Sequence, residues 1–164
     1  MALREIVLWP DARLATVCDP VAPGEDIGAL IRDLFETMYG AQGRGLAAPQ
    51  IGVMKRVFVM DCTWKEGARS PVVCVNPRIV ATSQDIGSSP EGCLSIPGIL
   101  VDVERPDWVV LAWTDGDGND QNRRLAGIQS RCAQHELDHL DGIVTFLRLP
   151  DVARTSAGTG YLAP

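Results

Sequence analysis

Apolar residues recur at helical spacing in two long stretches of the sequence. The first runs from about Asp26 to Gly40, with a cap expected at Gly24 or Asp26 and a stop at Gly40. Its apolar positions at i, i+3, i+4 spacing are Ile27, Leu30, Ile31, Leu34, Phe35 and Met38. This pattern predicts an amphipathic helix that packs one stripe of side chains on the core.

The second predicted helix, from about Arg123 to Leu140, carries both histidines of the chain. His135 and His139 are four residues apart, so a helix places them on one face, one turn apart. Gly142 follows as a natural stop. The upstream residues at near-helical spacing on the same face are Leu125, Ile128 and Cys132. The apolar face of this helix is therefore expected to lead into the two histidines.

Shorter stretches rich in β-branched and apolar residues predict strands. These are Ile6–Trp9, as a short strand or an extended lead-in, and Val53–Met60, Pro71–Asn76 with its continuation Arg78–Ala81, Val101–Glu104, Trp108–Trp113 and Ile143–Leu147. The sequence DGDGN at 115–119 is expected to be a turn between strands, because it lacks the ligand spacing of an EF-hand calcium loop. Loops are predicted over 63–70 and 84–89, and an irregular tail over 151–164.

Composition narrows the class of protein. The 164 residues are 46% hydrophobic and 22% charged, which is typical of one globular domain. The net charge of −6 argues against nucleic acid or anionic membrane as a partner. Apolar runs are too short to span a membrane, and MALREIVLWP lacks the pattern of a secretory signal. Five scattered cysteines indicate reduced thiols and hence a cytoplasmic protein.

The segment QHELDHLDG at 134–142 combines the paired histidines with Glu136. Two imidazoles at this spacing can hold one metal ion, and the adjacent carboxylate can handle the protons of a water molecule. The alternative is a helix that happens to carry two histidines, with Glu136 and Asp138 as surface charges. A catalytic site needs a third ligand, and a carboxylate, Cys93 or Cys132 would serve. Spacing alone does not choose among the cysteines.

The segment GRGLAAPQ at 43–50 places Gly43 and Gly45 on either side of Arg44. Two glycines so close together indicate a backbone that turns sharply or approaches another group closely. Taken alone, however, the segment is better explained as a plain connector.

Three segments occur in the order and approximate spacing of the peptide deformylases: GRGLAAPQ at 43–50, EGCLS at 91–95 and QHELDHLDG at 134–142. Further similarity lies in IVLWPDARL near the N-terminus, NPRI at 76–79 and ERPDWV at 104–109. The sequence therefore resembles this family over about residues 4–149. With the predicted elements, the resemblance implies an α+β fold. Small, mostly antiparallel β-sheets would pack around the central H-E-x-x-H helix, with one further N-terminal helix, in a single catalytic domain over 1–150.

The resemblance implies one divalent metal ion held by Cys93, His135 and His139. Fe(II) is the ion expected in this family, with Zn(II) or Ni(II) as replacements. Glu136 would act first as general base and then as general acid.

The resemblance further implies hydrolysis of the N-formyl group from nascent polypeptides that begin with formyl-methionine, with release of formate. The developing oxyanion would be stabilised by the side-chain amide of Gln50 and the backbone N–H of Leu94. A backbone group of Gly45 would align the peptide. The other residues expected at the substrate are Gly43, Arg44, Ser89 and Cys132.

Two residues near the expected methionine pocket depart from the family pattern. Arg44 stands where an aliphatic residue is usual, and Ser89 stands where the residue is often apolar. Arg44 can still place its stem against the substrate and its charge in solvent. Three alternatives therefore stay open: an amidase that removes another small N-acyl cap or prefers a different first residue, a zinc endopeptidase, and a metal-binding homologue without turnover.

Many members of the family end in a basic C-terminal helix that is associated with ribosome docking. Residues 151–164 of this chain contain Arg154 as their one basic residue. Direct docking on the ribosome by that route is therefore not expected.

Overall fold

The computed structural model describes residues 3–161, which form three α-helices and seven β-strands. The helices are α1 (Gly28–Gly40), α2 (Gly127–Leu140) and α3 (Asp151–Gly160). The strands are β1 (Gly45–Ala47), β2 (Val57–Met60), β3 (Val72–Thr82), β4 (Ile86–Cys93), β5 (Ile96–Pro106), β6 (Trp108–Thr114) and β7 (Asp120–Ala126). Short 3₁₀ helices lie at Ala12–Ala15, Ala48–Ile51, Trp64–Glu66 and Thr145–Arg148. Within this part of the chain, no helix has the length and apolar character needed to cross a membrane.

Five strands form an antiparallel sheet in the order β1–β2–β3–β6–β7, and β4 pairs with β5 in a separate antiparallel hairpin. β2 is buried along its whole length, which suits its sequence VFVM. β3 continues through Pro77, because its register to β6 shifts between Val75 and Arg78 and so accommodates a residue without an N–H donor. β1 is an edge of the larger sheet, so its outer side has no strand partner among the described residues.

Helix α2 packs against β1, β2, β6 and β7. Its C-terminal half is buried on nearly all sides, and the helix stops as predicted before Gly142, whose φ is +73°. A Cβ at Gly142 would lie 2.8 Å from the backbone of Ala15. Glycine is therefore required here both for the left-handed turn and for the close approach of another segment. The two histidines are thus carried on a buried, firmly packed helix.

The predicted α+β architecture is confirmed, with antiparallel sheets around the helix that bears both histidines. The N-terminal helix is confirmed as α1, and Asp26 accepts a hydrogen bond from the Gly28 N–H at 2.9 Å just before it. The turn at 115–119 joins β6 to β7 as predicted.

Two predictions are wrong in the second half of the chain, because strand pairing with distant residues outweighs the local sequence pattern. Residues 84–89, expected as a loop, contain the start of β4. The predicted start of the second helix near Arg123 lies instead in β7, so α2 begins at Gly127 and Leu125 is a strand residue. The sequence of β7 is almost wholly polar, and its pairing with β6 keeps it extended. Ile128, expected on the apolar face of the helix, is 49% exposed.

The C-terminal predictions also need correction. The strand expected at 143–147 is replaced by two residues without regular structure and the 3₁₀ helix Thr145–Arg148. The tail at 151–164, expected to be irregular, forms α3 in its first ten residues, while residues 162–164 lie outside the described part. Ala157 and Tyr161 pack against a core cluster, and this tertiary contact stabilises a helix that the Ala, Gly and Thr composition did not indicate.

Candidate active site

The metal-binding residues predicted from the sequence converge at one point of the structure. Cys93 ends β4, and His135 and His139 lie one turn apart on α2. Their three ligand atoms all lie within 4.8 Å of one another. The Sγ of Cys93 is 3.4 Å from Nε2 of His139, and the two imidazole Nε2 atoms are 3.3 Å apart. Of the cysteines left open by spacing, Cys93 is therefore the one that joins the histidines, whereas the Sγ of Cys132 contacts the carbonyl of Arg44 at 3.6 Å.

These donor atoms fit a divalent cation. Two imidazole nitrogens and a sulfur face each other, and their lone pairs repel unless a proton or a cation lies among them. Burial lowers the pKa of His139 well below its usual range, so this imidazole is neutral and able to coordinate. Burial opposes the charged form of His135 as well, but contacts with Cys93 and Glu91 outweigh it and raise the pKa of His135 well above its usual range. A cation therefore competes with a proton at His135, and its binding releases that proton.

A buried ionic network lies behind the histidines, and sequence reasoning missed it. The Nδ1 of His135 is 2.9 Å from Oε1 of Glu91. Arg105 donates to Glu91 at 2.7 and 2.9 Å and to Asp138 at 2.9 Å, and Arg148 binds the same Asp138 carboxylate. Burial disfavours the charged form of Glu91, yet its hydrogen bonds with His135 and Arg105 lower its pKa to about 2. The network fixes the orientation of the His135 ring.

The alternation of side chains along β4 and β5 could have indicated this network from the sequence. Glu91 and Cys93 are two residues apart on β4, so their side chains emerge on the same face. Arg105 occupies the same alternating buried face of β5 as Val101 and Val103. A charged residue at a core position of a strand indicates a buried partner.

Glu136 lies at the centre of the site and is 4% exposed. Burial raises the pKa of its carboxyl to about 7, which suits a group that both accepts and returns a proton. Its Oε2 has no hydrogen-bond partner among the described residues. On the other side, a Cβ at Gly45 would lie 2.6 Å from its Oε1, so only glycine lets the β1 backbone approach this carboxylate. The glycines at 43–50 thus reflect a close approach rather than a plain connector.

Gln50 is 1% exposed and its amide is held in one orientation. Its Oε1 accepts from the Ala47 N–H at 2.9 Å, and its Nε2 lies 3.1 Å from Oγ of Ser95 and 3.8 Å from Sγ of Cys93. The amide donor is therefore directed toward the metal-binding residues. Leu94 follows Cys93 directly in the tight connection to β5 and also lines the cavity beside the site.

A cavity of about 1060 Å³ leads from the site to the surface between β1, the β4–β5 hairpin and α2. Its inner end contains Cys93, His135 and Glu136. Its rim includes the exposed residues Gln42, Lys65 and Leu100 and the Arg44–Glu66 ion pair next to Lys65. The cavity is large enough for several residues of an extended peptide.

The other residues predicted at the substrate also line this cavity, namely Gly43, Arg44, Ser89 and Cys132. The guanidinium of Arg44 binds the carboxylate of Glu66 at 2.7 and 3.0 Å and the carbonyl of Cys62. The charge of Arg44 is therefore held away from the inner end.

A thiol and two imidazoles converge on one point beside a buried carboxylate, at the base of a peptide-sized cavity. Together with the α+β fold, this site defines a metal-dependent hydrolase. A family model, described as "Polypeptide deformylase", matches residues 3–155. The chain belongs to the polypeptide deformylase family, as the three sequence segments indicated.

Individual relatives agree with the family model. The peptide deformylase of Alkalilimnicola ehrlichii is 47% identical over 143 residues, covering 87% of this chain and 79% of the relative. A crystal structure of a peptide deformylase from Legionella pneumophila superposes with a TM-score of 0.89 at 38% identity, covering 96% of this chain and 92% of the other. A peptide deformylase from Ehrlichia chaffeensis, in complex with actinonin, gives a TM-score of 0.90 at 38% identity over 98% of this chain and 96% of the other.

Proposed function

We propose that this deformylase hydrolyses the N-formyl group at the start of nascent peptides with Glu136 as its proton-transfer residue. The observation that carries the proposal is the convergence of Cys93, His135 and His139 beside the Glu136 carboxylate. Glu136 accepts a proton from the attacking water and then delivers it to the departing α-amine, so that formate and a free N-terminus result. A carboxyl pKa of about 7 lets one group do both near neutral pH.

Cys93, His135 and His139 would hold one divalent ion. When bound, such an ion supplies Lewis-acid chemistry that activates water and polarises a carbonyl group. We propose Fe(II) as the native ion, with Zn(II) or Ni(II) as replacements, because one thiolate and two imidazoles suit all three. Glu91 supports this ligand set by fixing the ring of His135.

Gln50 and Leu94 are the proposed oxyanion donors. The Gln50 amide is anchored at its oxygen by Ala47, which leaves its nitrogen directed toward Cys93. A neutral amide donates to a developing oxyanion without competing for the cation. The backbone N–H of Leu94 would donate from the opposite side of the same inner end.

The substrate would lie along β1. The carbonyl of Arg44 faces β2, where it accepts from the Asp61 N–H at 2.8 Å. Backbone groups of successive strand residues point to opposite sides, so the N–H and carbonyl of Gly45 point to the open edge. Ala47, two residues later, points the same way, and its N–H donates to the side chain of Gln50. A peptide can therefore add to this edge as a strand. With its formyl group at Glu136, it must leave toward Gly43, so it runs antiparallel to β1.

Methionine is the proposed first residue. Because the guanidinium of Arg44 binds Glu66, Arg44 presents methylene groups to the cavity and does not oppose an apolar side chain. Ser89 and Cys132 supply the other, small walls of this region. The relatives named above are all peptide deformylases, so an amidase for another acyl cap is not favoured.

The test is formate release from a formyl-Met-Ala-Ser peptide, with metal analysis of the same sample. We expect release that rises with metal content, and little cleavage of acetyl-Met-Ala-Ser or of an unblocked protein. Metal-loaded protein that releases no formate would overturn the proposal. Cleavage of the acetyl peptide at a similar rate would instead support the alternative amidase.

We also propose that the enzyme works in the cytoplasm and does not contact the ribosome through α3. Arg154 of α3 donates to the carbonyls of Phe146, Leu147 and Leu149, so its charge is committed within the molecule. A sedimentation assay with purified ribosomes tests this, and we expect Arg154→Gln to leave any binding unchanged.

A further inference from the structure

The short 3₁₀ helix Trp64–Glu66 is fixed against Gly43 and Arg44, the two residues that precede β1. The indole Nε1 of Trp64 donates to the carbonyl of Gly43 at 2.8 Å. Two residues later, Glu66 binds the guanidinium of Arg44 at 2.7 and 3.0 Å. Lys65 lies between these two anchors in the chain and lines the cavity at its rim, with its ammonium group 5.8 Å from the Trp64 ring centroid.

Lys65 is the basic residue of the cavity lining that has no acidic partner within the described chain. Two arginines also line it, but Arg44 is paired with Glu66, and Arg131 is bound to Glu91 at 2.8 Å and to two backbone carbonyls. Lys65 is exposed, and within the described chain no carboxylate lies within 4.0 Å of its ammonium group, which sits 5.8 Å from the ring centroid of Trp64. Since Glu66 is neutralised by Arg44, Lys65 leaves the rim with a surplus of positive charge.

The path of the peptide brings its downstream residues to this charge. If the first residue pairs with Gly45 and the peptide continues extended toward the rim, its second and third residues pass Arg44 and Gly43. The backbone of Gly43 is already hydrogen-bonded to Met38 and Trp64. Each residue advances about 3.4 Å, and a lysine side chain reaches over both of the last two positions. At physiological ionic strength the screening length is about 8 Å, so the nearby ammonium outweighs the distant acidic surface of the chain.

We propose that Lys65 selects for formylated peptides with an acidic side chain at the second or third residue. This inference rests on the proposed function, and it specifies which substrates that function favours. The carboxylate would pair with the Lys65 ammonium in a solvent-exposed contact, which adds to substrate binding without touching the reacting atoms. Lys65 is therefore a specificity residue and not a catalytic one.

The experiment compares peptides that differ in one carboxylate. Formyl-Met-Ala-Asp-amide and formyl-Met-Asp-Ala-amide are each measured against their Asn counterparts, and the amide removes the terminal carboxylate. We expect the Asp peptide of at least one pair to have a kcat/KM about two- to fivefold higher, which is the range of exposed ion pairs. Lys65→Gln should bring that ratio to one, and Lys65→Glu should invert it. High salt should reduce it in the wild-type enzyme.

Lys55 provides the matched control, because it is the chain's other lysine and binds Glu25 at 3.0 Å outside the cavity lining. Lys55→Gln makes the same change in net charge and should leave the Asp-to-Asn ratio intact. The inference is overturned if Lys65→Gln retains the ratio, if Lys55→Gln lowers it equally, or if wild-type enzyme cleaves Asp and Asn peptides alike. Release of formate from the Asn peptides separates these results from failure of the proposed function, which would abolish cleavage of every peptide.

Discussion

The inner end of the cavity and its rim differ in solvent exposure, and their charged groups therefore interact with different strengths. At the inner end, the reactive groups are buried and supported from behind by further charges, as Glu91 supports His135 and Arg105 supports Glu91. At the rim, Lys65 is exposed to solvent, and the Arg44–Glu66 ion pair has a carboxylate that is 60% exposed. Electrostatic interactions between charged side chains are therefore strong at the inner end and weak at the rim.

Because of this difference, the inner end governs catalysis and the rim governs the preference among peptides. A change at the inner end alters the metal site or the proton transfer, or it lowers the stability of the fold where a buried charge loses its partner. A change at the rim is screened by water and shifts only the preference among peptides.

Glu136→Gln should give the largest loss. The variant keeps the shape of the side chain but cannot accept a proton, so hydrolysis should fall about 10²- to 10⁴-fold. Its metal content should stay near that of the wild-type protein, because Cys93, His135 and His139 are unchanged. Formate release and metal analysis on one preparation measure both. Substantial activity in metal-loaded Glu136→Gln would show that another group transfers the proton.

Cys93→Ser should weaken metal retention far more than Cys132→Ser. Changes to residues that only support a ligand commonly cost 10- to 100-fold in affinity, so the loss of a ligand should exceed about 100-fold. The two cysteines make a matched pair, since the Sγ of Cys132 contacts the carbonyl of Arg44 and not the histidines. Competition with a chelator measures the affinity. Equal loss of metal in both variants would contradict the ligand assignment.

Arg105→Met should destabilise the metal-free protein by about 3 kcal/mol, because it removes one partner from two buried carboxylates. The effect should lie at the low end for such buried pairs, since Arg131 still reaches Glu91 and Arg148 still reaches Asp138. Urea unfolding followed by tryptophan fluorescence measures it. If the free energy of unfolding fell by less than about 1 kcal/mol, this buried network would be no stronger than the exposed Arg44–Glu66 pair at the rim.

The sequence predicted the reactive part of the inner end well, for a physical reason. Histidines four residues apart on a helix share a face whatever surrounds them, so local spacing was enough for His135 and His139. The choice of Cys93 required either a family resemblance or coordinates, because its approach depends on the pairing of β4 with β5. Glu91 and Arg105 were missed because each meets its partner across separate segments of the chain.

The less accurate predictions share one cause. β7 has no apolar face, and the pattern of α3 is weak, so both depend on contacts that distant residues supply. The sequence could allow the charge of Arg44 to point away from the substrate but could not give its partners, because the contacts with Glu66 and the Cys62 carbonyl join separate segments of the chain. Residues whose position depends on local periodicity were thus predictable, and residues placed by tertiary pairing were not.

Glu66→Gln should have the smallest effect on stability and the most specific effect on selectivity. The pair that it breaks is largely in water, so the free energy of unfolding should change by less than about 1 kcal/mol, against about 3 kcal/mol for Arg105→Met. Removing this carboxylate frees the charge of Arg44 beside Lys65, so the preference for Asp over Asn peptides should rise above that of the wild type. Hydrolysis of neutral peptides should fall modestly, because the unpaired charge of Arg44 then lies near the apolar first residue while the groups at the inner end are unchanged. A large loss of stability, or a fall in the Asp preference, would mean that the rim is coupled to the fold as tightly as the inner end.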